Sequence, residues 1–145
     1  VPTRISIAGA VRSGKVIAAP RDANNVPGVL PISNKRDFAW DRGGVEAGSR
    51  QGQVLLNTHT WPDGTATGNR LLAKVEVGAR LVLRGAGNLA CYTVTREIEV
   101  TKEAGFPGYG ATDGPPQVVI VVCSGKRLGP GDWSHRTLFI AQPIA

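Results

Sequence analysis

At 145 residues, 41% hydrophobic and 19% charged, the chain is long enough for one domain with a real core and too apolar for a disordered one. Its net charge is +6, but the basic residues are scattered and the few aromatics are not interleaved with them, so nucleic acid is not an expected partner. No run of 18 apolar residues occurs that would span a bilayer.

The 19 glycines and 10 prolines favour many turns and hence short strands. Arg4 to Ala10 alternates at Ile5 and Ile7, and Lys15 to Ala19 makes a second strand closed by Pro20. Arg21 to Arg50 reads as loops, with a strand near Val29–Ile32 and one helical turn near Lys35–Trp40. Gln53 to Asn57 is an apolar strand that runs into Thr58, His59, Thr60 and Trp61 and then the turn Pro62–Asp63–Gly64. Arg70 to Lys74 suits a strand or a short helix, and Arg80 to Leu83 a strand.

Ala90 to Val100 alternates most clearly. Tyr92, Val94, Ile98 and Val100 are expected on one face and Cys91, Thr93, Thr95, Glu97 and Glu99 on the other, with a bulge where Arg96 interrupts the apolar series. Thr101 to Gln117 is a long loop rich in glycine and proline, a length that in compact domains often goes with function. Val118 to Val122 is apolar on both parities, as in a central strand buried on both sides. Ser124 to His135 reads as another loop, and Thr137 to Ala141 as the last strand. Roughly seven or eight strands with little helix predict an all-β single domain, closed or nearly closed into a barrel.

Cys123 ends the buried strand, His59 ends an apolar strand, and Arg136 starts the last one. If the last two strands pair antiparallel, Cys123 and Arg136 face each other. A thiolate is a strong nucleophile, an imidazole moves its proton, and a guanidinium holds an oxyanion in a fixed fork. That set suffices for acyl transfer. His135 is the other candidate base. A Cys91–Cys123 bridge competes with a free nucleophile, and Cys91 itself reads as structural or free. The two cysteines and two histidines have no zinc-module spacing, so no metal or other cofactor is expected. Asp63, Asp113 and Asp132 read as turn residues.

These residues resemble the sortases, cysteine transpeptidases of Gram-positive surfaces. The resemblance lies in the order His59, Cys123, Arg136 and in the flanking text. Pro2–Thr3–Arg4–Ile5–Ser6–Ile7 is similar to the family's opening. Asn57 to Gly64 followed by Gly68–Asn69, Val121 to Ser124, and Trp133 to Leu138 are similar to the histidine, cysteine and arginine segments of the actinobacterial class F branch. Many sortases have Gly before the histidine and Thr before the cysteine; Thr58 and Val122 stand there in this chain, which suits class F.

The resemblance implies an eight-stranded barrel with short helices and long loops that reads an LPXTG-type sorting signal. Cys123 would be the nucleophile, His59 the general acid and base, and Arg136 the oxyanion partner. Thr60, Trp61, Val122, Trp133 and His135 would contact substrate. Partners would be surface proteins bearing the signal and a primary amine acceptor such as a cell-wall precursor. The chain starts at Val1 without methionine, which suggests a fragment of a longer protein. A monomer held at the outer face of the membrane by an N-terminal segment missing from this sequence is therefore expected.

Two alternatives stand beside the sortase. L,D-transpeptidases also place His before Cys, but their cysteine is followed by a hydrophobic residue and Arg, whereas Ser124–Gly125–Lys126 follows Cys123. A β-barrel binding module with an inert buried cysteine is the non-enzymatic alternative.

Overall fold

Eight strands and one helix make up the described residues, 1–105 and 111–144, of a computed structural model of the protein. The strands are β1 (Pro2–Ile7), β2 (Val11–Ala19), β3 (Phe38–Asp41), β4 (Gln53–Thr58), β5 (Arg80–Gly85), β6 (Asn88–Thr101), β7 (Gln117–Gly129) and β8 (Asp132–Pro143). They close into a barrel in the order β1-β2-β3-β4-β7-β8-β6-β5, so no sheet edge is left open. Most neighbours are antiparallel; β2/β3 and β4/β7 are parallel. Each parallel pair needs a long crossover. Residues 20–37 supply the first, and α1 (Thr67–Lys74), β5 and β6 lie within the second.

Alternation builds the interior. Val54 and Leu56 of β4, Val118, Ile120 and Val122 of β7, and Phe139 and Ala141 of β8 all join one core with Phe38, Trp40, Leu81 and Leu83. Leu71 and Val75, in and just after α1, belong to the same core. The other parity is also buried: Leu55, Val119, Val121, Leu138 and Ile140 form a second cluster on the outer face of β4, β7 and β8. That is why Val118 to Val122 of β7 reads as apolar at every position.

Several expectations are corrected. The bulge in β6 is present, between Val94 and Arg96. One inserted residue reverses the alternation. Tyr92 and Val94 therefore face the interior, whereas Ile98 and Val100 pack on the outer cluster instead of sharing their face. Val29–Ile32 is not a strand, and the expected helical turn gives way to β3 from Phe38. Arg70–Lys74 is the end of helix α1. The first strand stops at Ile7, where a turn with Gly9 at φ 80° leads into β2.

Ser124 to His135 is no loop: β7 continues to Gly129 and β8 begins at Asp132, leaving a tight hairpin. Part of the loop expected at Thr101–Gln117 lies outside the described residues. Among the described residues, no helix is long and apolar enough to cross a membrane.

Candidate active site

The register of three adjacent strands assembles the site. Thr58 of β4 pairs in parallel with Val122 of β7, so the next residues, His59 and Cys123, leave the two strands side by side. Across β7/β8, Cys123 is the direct partner of Arg136. All three are half-buried. They line one cleft of about 180 Å³, whose other walls include Pro27 and Val29 from the β2–β3 crossover, Val121, and Gly131 of the hairpin. A larger cleft, about 530 Å³, lies beside the β1–β2 turn and is lined by Arg12, Arg70 and Arg80, with no thiol or imidazole on its walls.

Each group is held by its surroundings. Arg136 Nη1 donates to the carbonyls of Trp133 and His135, both at 2.9 Å, which fixes the plane of the guanidinium. His59 Nε2 lies 2.6 Å from the carbonyl oxygen of Leu30. The Thr60 hydroxyl donates to the Cys123 carbonyl at 2.7 Å and ties the histidine segment to the end of β7. Behind it, the N–H of Gly68 in α1 donates to the His59 carbonyl at 2.9 Å. A Cβ at Gly68 would collide with that carbonyl and with the Thr60 hydroxyl, so glycine is what lets helix and strand end meet. Asn69 closes the turn between them: its Oδ1 accepts from the Trp61 and Ala66 N–H groups, and its Nδ2 donates to the Trp61 carbonyl.

Burial pushes the Cys123 thiol above its ordinary range; Arg136 opposes this, and Asp132 adds to it. The folded sulfur therefore holds its proton more tightly than an exposed thiol does. Cys91 and Cys123 are both free thiols, so the bridge does not form. Arg80 Nη2 stands 3.5 Å from the Cys91 sulfur.

The remaining sequence candidates divide. Thr60, Trp61 and Trp133 line a second pocket, also about 180 Å³, with Ile32 and Pro130; it shares Gly131 with the Cys123 cleft. Val122 points into the barrel core, 1% exposed, and Val121 takes the place on the cleft wall. Strand parity carried that signal, since residues two apart share a face and Val121 is two before Cys123. His135 lines neither cavity; its Nδ1 lies 2.7 Å from the Ser134 hydroxyl oxygen, which also receives the Lys126 N–H. Pro27 was legible only as a loop residue, and Val29 and Leu30 only as part of an expected strand, with nothing in the sequence tying them to the site. Among the described residues, no group of three or more His, Cys, Asp or Glu is placed to hold a metal.

No family model matches the sequence, and no curated protein matches it either. Solved structures do. Sortase C1 from Streptococcus agalactiae superposes with a TM-score of 0.69 over 98% of this chain at 17% identity. Sortase C-1 from Actinomyces oris gives 0.73 over 98% at 17% identity, and sortase A from Corynebacterium diphtheriae 0.71 over 99% at 14%. The chain spans 66%, 71% and 61% of those three proteins. The closed eight-stranded barrel with its one short helix is the sortase fold.

Proposed function

We propose that the protein is a sortase-type cysteine transpeptidase of the class F branch. The observation that supports this most is the meeting of Cys123, His59 and Arg136 in one cleft on a barrel of sortase fold. Cys123 passes its proton to His59 as the sulfur attacks the carbonyl carbon between Thr and Gly of an LPXTG-type sorting signal. The oxygen of the tetrahedral intermediate gains negative charge, and the Arg136 guanidinium stabilises it. The intermediate collapses, the C–N bond breaks, and His59 returns the proton to the leaving glycine amine. A thioacyl enzyme remains.

A primary amine, such as that of a cell-wall precursor, then attacks the thioester. His59 takes its proton, and the thiol leaves as the new amide forms. The raised thiol value favours this order, because the nucleophile is generated by transfer to His59 during attack and not stored beforehand. The clients would be surface proteins carrying the signal, and the enzyme a monomer held at the outer membrane face by a segment outside this sequence. The test is intact mass spectrometry after mixing the protein with an LPXTG peptide and excess triglycine or hydroxylamine. A peptide–amine product, or a thioacyl adduct on Cys123, is expected. An alkylatable Cys123 with no product from any LPXTG-type peptide would refute the assigned reaction.

A further inference from the structure

Three side chains at alternate positions of the histidine segment each donate to a carbonyl at alternate positions of the β2–β3 crossover. Asn57 Nδ2 reaches the Gly28 oxygen at 3.0 Å, His59 Nε2 the Leu30 oxygen at 2.6 Å, and Trp61 Nε1 the Ile32 oxygen at 2.9 Å. A period of two on both sides means two extended chains lying alongside each other, one offering side chains where a strand would offer backbone. Pro27 precedes the docked run and Pro31 lies within it, and each restrains the backbone beside it to extended geometry. The ends of the crossover are tied as well. At its start Arg21 pairs with buried Asp41, and at its far end the hydroxyls of Thr58 and Thr67 donate to the Asp37 and Arg36 carbonyls.

A carbonyl can only accept, so Nε2 of His59 must carry its hydrogen. In the neutral ring the lone pair is then at Nδ1, and that is the atom left to receive a proton. We propose that the segment Gly28–Ile32 is the orienting partner of His59, and that Asn57 and Trp61 are positioning residues that set the Leu30 carbonyl. The catalytic consequence rests on the transpeptidase reading: the Cys123 proton goes to Nδ1 and leaves from Nδ1 to the departing amine. The ring keeps its place throughout, because the Nε2–H bond to Leu30 strengthens when the imidazole becomes charged. A backbone carbonyl thereby performs the orienting task that a carboxylate performs in other nucleophile–base pairs.

The experiment is nitrogen-15 NMR of the two histidine rings in the full chain, with His135→Gln assigning the signals. It is repeated in Asn57→Ala, Trp61→Phe and the double variant. Wild-type His59 should show the Nε2–H tautomer, and the double variant should show a mixture. Its kcat for peptide transfer should fall about tenfold with KM within twofold, a fraction of what a positioned acid–base group contributes. An Nδ1–H tautomer in the wild type would overturn the orienting contact, as would an unchanged tautomer and kcat in the double variant. If the double variant does not fold, the same readouts on Asn57→Ala decide, with a smaller shift of both expected and no shift of either overturning the proposal. The expected tautomer in a wild-type protein that joins no peptide would leave the contact standing and sink its catalytic role together with the transpeptidase.

Discussion

Gly68→Ala should destabilise the protein although it places a better helix former in a helix. Propensity alone favours alanine by about 1 kcal/mol. Against that stands a Cβ aimed at the His59 backbone carbonyl, an atom that cannot swing aside as a side chain could. Overpacking of this kind costs about 1–3 kcal/mol. Moving the helix away also stretches the Gly68 N–H bond to His59 and disturbs the Thr60 bond to Cys123, each worth about 1 kcal/mol. With about half of each bond retained, the net loss is about 1–3 kcal/mol. For a chain of this size that lowers Tm by about 3–10 °C.

The same displacement moves the carbonyl next to the imidazole, and a misplacement of about 1 Å can cost about a hundredfold in rate. Transfer activity should therefore fall by more than about tenfold, beyond what the lost stability explains at a temperature where the variant stays folded. Circular-dichroism melting and peptide-transfer kinetics on the same preparation give both numbers. A Tm equal to or above wild type, with wild-type turnover, would refute the idea that the helix and the strand end meet through Gly68.

Other outcomes follow from the same site. Cys123→Ala should abolish transfer while leaving the fold intact, and activity above a few per cent would remove the assigned nucleophile. Arg136→Lys keeps the charge but loses the fork held by Trp133 and His135, so kcat should drop at least about tenfold; wild-type turnover would remove its oxyanion role.

Alkylation of Cys123 by iodoacetamide should rise with pH at a midpoint above that of an ordinary exposed thiol, because burial raises it. Arg136→Gln should move that midpoint higher, since Arg136 is the cause that opposes burial; no upward move would contradict the assignment. A folded thiol that holds its proton more tightly than the unfolded one contributes stability that is complete below the ordinary thiol range. It is lost as pH rises from there toward the folded value, and denaturant melts of Cys123→Ala should show a flatter decline. Asp41→Ala removes the buried carboxylate that accepts from Arg21 and from the Gly43 N–H, while Arg21 keeps its bond to Asn25, and should cost about 1–3 kcal/mol by urea unfolding; a loss under about 0.5 kcal/mol would mean the pair is dispensable.

What was legible in the sequence was what strand periodicity encodes. β7 reads as buried because both parities face apolar clusters, and the position of Cys123 at the limit of that burial points to an accessible thiol. The order of His59, Cys123 and Arg136 at strand ends singled out three residues that stand among those lining one cleft. What stayed hidden lacks a period. β3 is four residues, FAWD, buried throughout, so nothing alternates. In the hairpin the ladder continues while burial stops, and exposed residues such as Lys126 and Arg127 look like loop. The Gly28–Ile32 run looks like a strand because it is extended and apolar, but its carbonyls bond to side chains far away in sequence. In β6, one extra residue reverses the faces downstream, and a pattern read without it assigns Ile98 and Val100 to the wrong side.

The parallel pairing of β4 with β7 has a kinetic meaning. His59 and Cys123 are neighbours only because two strands far apart in sequence, with a helix and two further strands between them, come into register. Contacts of that separation are among the slowest to form in a folding chain. The proposed pair is thus born with the closed barrel: a chain still emerging, or refolding with its first hairpins made, carries a cysteine and a histidine that have not met. In a population of partly folded molecules, the completed molecules alone would hold a site able to form a thioester.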